Sequence, residues 1–193
     1  MLQGSVVSVH VGYSGTLDKG STDTIEMAFD GIVGDRHRGA TRRAWANSDK
    51  QVGGTERRNE RQWSAIAFED LQHISETMGL SQPLTATSMA VNLCIRGVPD
   101  FSRLPRGTTL TFASGVVLMV EEYNPPCGDQ AAHIAQHFVT ASGEAPQPSA
   151  LSNAAKFCRG LVGVVEVPGI ITAGDSVTVQ PEVLPKWLRT SGK

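Results

Sequence analysis

The chain has 193 residues, 40% of them hydrophobic, and a formal net charge of −2. This is a soluble globular composition, long enough for one domain with a real core, and no whole-chain charge excess points to nucleic acid or a membrane surface. No apolar run approaches the ~20 residues of a membrane helix, the N-terminus shows no secretion signal, and three cysteines without paired spacing argue against a disulfide framework and for a reducing cytosol.

Residues 4–12 are β-branched and partly alternating and read as a strand, and residues 23–29 as a second, weaker one. Residues 31–61 are polar, contain glycine and show no convincing period, so they read as a long loop that is either functional or disordered. Seven of the twelve arginines lie here, from Arg36 to Arg61, and with Lys50 they outnumber Asp49, Glu56 and Glu60. Clustered arginine suits phosphate or carboxylate, because the planar guanidinium bonds two oxygens at once. The plain alternative is a solvated loop with local ion pairs. Gln62 to Phe68 reads as a strand, and Glu69 to Met78 as a helix that Gly79 stops.

Ser88 to Ile95 reads as another strand. Thr108–Phe112 and Val116–Glu122 flank a short glycine turn and form a hairpin. A helix is expected from about Asp129 to Phe138, a loop over 142–149, and a further helix from Ala150 to Cys158. Gly160–Val167, Ile170–Thr172 and Ser176–Gln180 are short strands separated by tight turns. So many short strands with few intervening helices predict an antiparallel β-barrel, mostly β with a few helices, rather than a doubly wound sheet. The chain reads as one domain, its core spanning about 5–180, with 181–193 as a tail or short helix.

Cys127 is the leading candidate for chemistry. It sits in Pro125-Pro126-Cys127-Gly128, between a strand and an expected helix. The turn is rigid, and the positive end of a helix dipole favours thiolate. A buried, inert cysteine is the other reading. Cys94, between Leu93 and Ile95, reads as core. Cys158 precedes Arg159 and is placed to resolve a persulfide only if it neighbours Cys127. His133 and His137 share a helical face and would bind zinc with Cys127, but Ile134 stands where a zinc-protease motif has glutamate; two solvated histidines are the alternative. Asn92 reads equally as pocket lining or as a structural hydrogen-bonding group, and Arg159 as an anion ligand at a strand mouth or a surface arginine. Trp45 and Trp63 flank the arginines, but no nucleic-acid role is built on them.

These pieces, in order, resemble the MOSC domain, the C-terminal module of molybdenum cofactor sulfurases. The matching residues are Gly34-Asp35-Arg36-His37-Arg38-Gly39, the strand and helix over 62–78, Asn92-Leu93, Leu104-x-x-Gly107-x-x-Leu110, the Pro126-Cys127 turn, Arg159-Gly160, and Gly169-x-x-x-x-Gly174-Asp175. The match covers roughly residues 5 to 180 and is similar to stand-alone bacterial members that lack the pyridoxal-dependent half. The resemblance implies a MOSC, pyruvate-kinase-barrel-like fold with a pocket at one end. It implies that Cys127 carries sulfur or ligates molybdenum, and that Arg36, His37, Arg38, Asn92 and Arg159 bind the molybdenum cofactor (molybdopterin). Pyridoxal phosphate is a family association only, not expected on this chain alone. It implies a cysteine desulfurase or a molybdoenzyme as protein partner and a small anionic ligand, while the composition and cysteine usage point to no nucleic acid, no membrane and a cytoplasmic location. Sulfurtransferase activity and a part in a molybdenum-cofactor-dependent reductase both fit, against a non-catalytic pterin or anion module that does not need its thiol.

Overall fold

Alternating β-branched residues supply the framework of the fold, a computed structural model that describes residues 1–13, 17–45 and 49–183. The strands are β1 (Leu2–Val11), β2 (Gly20–Thr22), β3 (Thr24–Ala28), β4 (Gly31–Ile32), β5 (Thr41–Arg43), β6 (Glu56–Arg58), β7 (Trp63–Ala67), β8 (Leu93–Arg96), β9 (Thr109–Phe112), β10 (Val117–Tyr123), β11 (Leu161–Val167), β12 (Gly169–Thr172) and β13 (Ser176–Gln180). The helices are α1 (Phe68–Thr77), α2 (Gly128–His137) and α3 (Ala150–Ala154). No helix among the described residues is long and apolar enough to cross a membrane.

Seven strands close into a barrel in the order β1-β13-β9-β10-β11-β7-β8, and β2 pairs with the far end of β1. Closure removes sheet edges, which would otherwise offer unpaired N–H and C=O groups. The barrel is mixed rather than antiparallel as expected. β7 and β8 run parallel, with Ala65 opposite Leu93 and Ala67 opposite Ile95. Two parallel strands cannot be joined by a tight turn, and here the crossover contains α1. The hairpin expected around Gly115 is present, with Leu110 opposite Leu118.

Strand alternation sorts side chains between two cores. Ala65, Ala67, Leu93 and Ile95 point into the barrel with Val6, Leu110, Leu118, Leu161 and Val177. Ile66 and Cys94 point outward, where α1 (Leu71, Ile74), α2 (Ile134) and α3 (Leu151, Ala154) cover them. A separate sheet of β12, β3 and β4 adds Ile25, Met27, Ile32 and Ile171 to the barrel core.

Three local expectations change. The strand expected from Ser88 begins only at Leu93. Thr85 and Ser88 bond each other's backbone N–H through their hydroxyls, which holds a turn, and Ala90 takes φ +53°. The long loop over 31–61 contains β4 and a hairpin, Thr41 opposite Arg58, whose strands are too polar to show an apolar alternation. The helix expected to Cys158 stops at Ala154, because Phe157 adopts φ +63°. The expected tail or helix over 184–193 lies outside the described residues.

Gly163 in β11 faces the buried indole of Trp63, whose Nε1 donates to the Val164 carbonyl at 2.9 Å. A Cβ there would collide with the Met119 carbonyl and the indole ring together. Backbone cannot swing aside as a side chain can. Gly163→Ala is therefore expected to lower unfolding free energy by about 3 kcal/mol or more in urea titrations, whereas Gly143→Ala, a loop glycine with open space around it, leaves the Trp63 environment intact.

Candidate functional site

A carboxylate almost fully out of solvent organises one end of the barrel. Asp35 Oδ2 accepts from the Gly12 N–H (2.8 Å), Lys19 Nζ (2.9 Å) and Asn92 Nδ2 (2.8 Å). Its Oδ1 accepts from the His37 N–H (2.9 Å) and lies 3.2 Å from His37 Nδ1. Burial alone would push this carboxyl up, but the His37 and Gly12 donors and the Lys19 charge hold it well below the usual carboxylate range. Burial outweighs the pull of Asp35 on Lys19, whose ammonium falls to about 8. The side chains of both partners are 1% exposed. Lys19 was not among the residues expected here: a lone lysine beside Gly20 carries no motif. Asp35 itself pairs with Lys19 and His37, not with Arg36 or Arg38.

Asn92 proves to be a cross-brace. Its Nδ2 also donates to the His10 carbonyl (3.0 Å), and its Oδ1 accepts from Ser64 N (3.1 Å) and Ser64 Oγ (2.9 Å). All its donors and acceptors are thus engaged within the chain. His10 reaches this side of β1 because a bulge between Val6 and Ser8 shifts the register against β8. Of the other expected residues, His37 keeps a half-exposed ring, and Arg38 pairs with Asp30 at the surface. Arg36 donates to the Leu17 carbonyl at 3.3 Å.

Arg159 lies at the end of α3's trailing turn and is buried. Its Nη2 donates to the Met89 carbonyl at 2.7 Å and lies 3.5 Å from Gln130 Oε1. Its Nε and Nη1 have no hydrogen-bond partner among the described residues. Burial brings its pKa down to about 10, opposed by the nearby Cys127 and reinforced by Arg61. Cys127 is exposed and caps α2 with an extended backbone, its carbonyl accepting from the Ala131 N–H at 3.1 Å. The thiol therefore sits at the positive end of that helix. Two prolines and the end of β10 fix the approach, and Gln130, one turn into α2, connects the helix to Arg159.

Much of the arginine cluster is neutralised. Arg42 and Arg57 share Asp49 and Glu60, Arg58 pairs with Glu121, and Lys50 with Glu122. Arg61 instead donates to Asn124 Oδ1, and Trp45 lies over both Arg42 and Arg61. Trp63 is in the core. Arg36, Arg61 and Arg159 thus make no ion pair among the described residues.

All three cysteines are free. Cys94 is core, and burial raises its thiol to about 12. Cys158 is raised to about 11 by burial and donates to the Ala154 carbonyl. No histidine among the described residues hydrogen-bonds Cys127: His37 is on Asp35, and His133 on Asp18 at 2.9 Å. Nor do the described residues include a group of three or more His, Cys, Asp or Glu placed to hold a metal, so the alternative of zinc on Cys127, His133 and His137 has no such cluster behind it.

The family model for the MOSC domain matches residues 35–178. The chain belongs to the MOSC domain family. Over 157 residues it is 32% identical to YuaD of Bacillus subtilis (strain 168), provisionally named as a metal-sulfur cluster biosynthesis protein, with 81% of this chain and 80% of that one covered. The crystal structure of YuaD from Bacillus subtilis superposes with a TM-score of 0.87 at 27% identity, over 94% of this chain and 98% of that one. YiiM from Geobacillus stearothermophilus shares the fold at a TM-score of 0.61 and 16% identity, over 92% and 75% of the two chains. The family is associated with the molybdenum cofactor, and this MOSC domain's own residues fit such a group: the two unpartnered nitrogens of Arg159 suit a phosphate, and the thiol of Cys127 suits a soft metal.

Two outcomes test the site. Asp35→Ala leaves Lys19 buried without its counter-charge, and should cost about 3–5 kcal/mol by urea denaturation near neutral pH. Burial, then the Lys19 charge, lowers His10 to about 4. Between that value and its ordinary 6.5 the unfolded chain takes up a proton that the folded chain refuses. Stability is therefore full above 6.5 and falls as pH drops towards 4, by about 3 kcal/mol across the window. His10→Asn should flatten that slope, whatever its effect at neutral pH.

Proposed function

We propose that this protein handles the molybdenum cofactor or its sulfur, with Cys127 as the residue that carries sulfur or ligates molybdenum beside an arginine-lined anion pocket. The observation that carries this reading is Arg159: a buried guanidinium with Nε and Nη1 unpartnered, facing electrostatically the exposed thiol that caps α2. A buried charged donor without a partner is costly, and an incoming phosphate or thiolate relieves it. Family membership supports the cofactor, and the provisional name of YuaD supports a sulfur role.

As a sulfur carrier, the Cys127 thiolate attacks the outer sulfur of a donor persulfide. A new S–S bond forms on Cys127, the donor's own S–S bond breaks, and the donor leaves as a thiolate. No outside oxidant is required, because the sulfane sulfur keeps its oxidation state as it moves. For the cofactor, Arg159, Arg36 and Arg61 would hold the anionic end, while His37 stands half-exposed nearby on Asp35. Bound molybdenum would supply a thiophilic centre for Cys127. Asn92 and Lys19 act by shaping the Asp35 turn, and Arg38 stays with Asp30 at the rim. A cysteine desulfurase as donor, a molybdoenzyme as acceptor and a cytoplasmic setting complete the proposal; three unpaired thiols fit that compartment.

The carrier form is checked by intact mass after incubation with a small-molecule persulfide. Wild type and Cys158→Ala should each gain one sulfur atom, and Cys127→Ala none. Equal labelling of Cys127→Ala removes Cys127 from the role. The competing reading, a pterin or anion module indifferent to its thiol, requires Cys127→Ser to bind molybdopterin as wild type does. Arg36→Ala should weaken pyrophosphate binding about tenfold, the worth of one charge-assisted contact, measured calorimetrically on protein with an unchanged melting temperature.

A further inference from the structure

We infer that a second small-molecule site lies behind Arg159, in a polar cleft between α1, the 3-10 turn Phe101–Arg103 and the segment Lys156–Cys158, and that it takes an amino-acid-sized zwitterion. The inference does not depend on the role given to Cys127.

One stretch of backbone walls both sites. From α3 the chain runs through Phe157, Cys158 and Arg159 to Gly160, which opens β11. Arg159 leaves on one side, toward Met89 and Gln130, while Cys158 lines the cleft on the other. The cleft holds about 160 Å³. Drug-sized ligands occupy about 300 Å³ or more, and a water about 30 Å³, so the space suits a solute of few heavy atoms.

Charges of both signs face this space without neutralising each other. Asp70 and Asp100 line it together with Arg103 and Lys156, yet no ion pair joins any of the four among the described residues. Asp70 is half-buried, and its carboxylate accepts from Ser102 Oγ at 2.6 Å. Burial raises the Asp70 carboxyl, the Ser102 hydrogen bond and the nearby His73 oppose this, and Glu69 and Asp100 raise it further. An ammonium group would relieve that crowding, and a carboxylate would meet Arg103 and Lys156. An inorganic anion would engage only the basic side and a simple amine only the acidic side, whereas a zwitterion spans both.

Phe157 marks the rim. It is 54% exposed and adopts φ +63°, a conformation that costs a bulky residue about 1–2 kcal/mol. Tyr123 enforces it, its hydroxyl accepting from the Phe157 N–H at 3.0 Å and donating to the Ala155 carbonyl at 2.8 Å. Strain that surrounding bonds impose on an exposed aromatic is common at ligand clamps. The ring offers an apolar face to the ligand's side chain, with Lys156 Nζ already 5.5 Å from its centre.

The test uses ¹⁵N-labelled full-length protein, wild type and Cys127→Ala, titrated with L-alanine and L-phenylalanine, with acetate and ethylamine as single-charge controls. Saturable shifts of the Ser102, Arg103, Cys158 and Gly160 amides are expected in both proteins. The single-charge controls should bind about tenfold more weakly, and Arg103→Ala and Asp70→Asn should each lose about tenfold in affinity without altering the melting temperature. If neither amino acid gives saturable shifts, if acetate or ethylamine matches them, or if both variants bind as wild type does, the inference is wrong.

Discussion

The Lys19–Asp35 pair sets the geometry of the barrel end. Two unit charges with side chains 1% exposed have lost nearly all their water. Their mutual attraction offsets that loss only if the remaining hydrogen-bonding capacity is also met. Gly12, His37 and Asn92 meet it on the carboxylate. These donors come from the end of β1, the turn after β4 and the approach to β8, so a single carboxylate binds together three segments distant in sequence. Such a pair adds little net stability over an apolar substitute. What it contributes is position: the backbone around Arg36 and His37 cannot move without leaving a buried charge unpaired.

The opposite wall of the site is built from covalent constraint. β10 ends at Tyr123, two prolines follow, and the helix α2 begins immediately after Cys127. Arg159 arrives from a different direction, on the turn between α3 and β11. At Gly160 a Cβ would strike the Ala65 carbonyl of β7, and φ is +102°. Only glycine lets the chain pass that close to β7 and leave Arg159 in place. Gln130 then links the two arms, donating to the Ser88 carbonyl while its Oε1 faces Arg159. The guanidinium is held at one nitrogen and left open at two.

Physical periodicity explains which parts were legible from sequence. Val116 to Val120, Leu161 to Val167 and Ser176 to Gln180 alternate or stay apolar because they line a closed barrel, and each was recognised as a strand. The parallel β7–β8 pair was not, since strand direction depends on where the crossover lands rather than on composition. β5 and β6 were missed for the opposite reason: Thr41-Arg42-Arg43 and Glu56-Arg57-Arg58 bury little and are held by ion pairs. Cys127 was singled out by its Pro-Pro-Cys-Gly turn, and Arg36, His37 and Arg159 through the family's ordered motifs, as candidates. Lys19 was not, because its function is visible only once Asp35 is seen in three dimensions. Arginine density alone overstated the free charge, as Asp49, Glu60 and Glu121 sit close enough in space to pair Arg42, Arg57 and Arg58.

That neutralisation sharpens what the site can select. If every arginine between Arg36 and Arg61 were free, the barrel end would carry a broad positive field that attracts any polyanion. With Arg42, Arg57 and Arg58 paired, the residual positive charge falls on Arg36, Arg43, Arg61 and Arg159, of which Arg43 is exposed on the hairpin and Arg159 is buried. Buried donors discriminate by geometry, because a ligand that fails to reach the Arg159 nitrogens leaves them unsolvated. A surface arginine would lose nothing in the same circumstance. The carboxylates around the hairpin therefore remove much of the unselective charge from this barrel end, and the buried guanidinium of Arg159 keeps its own.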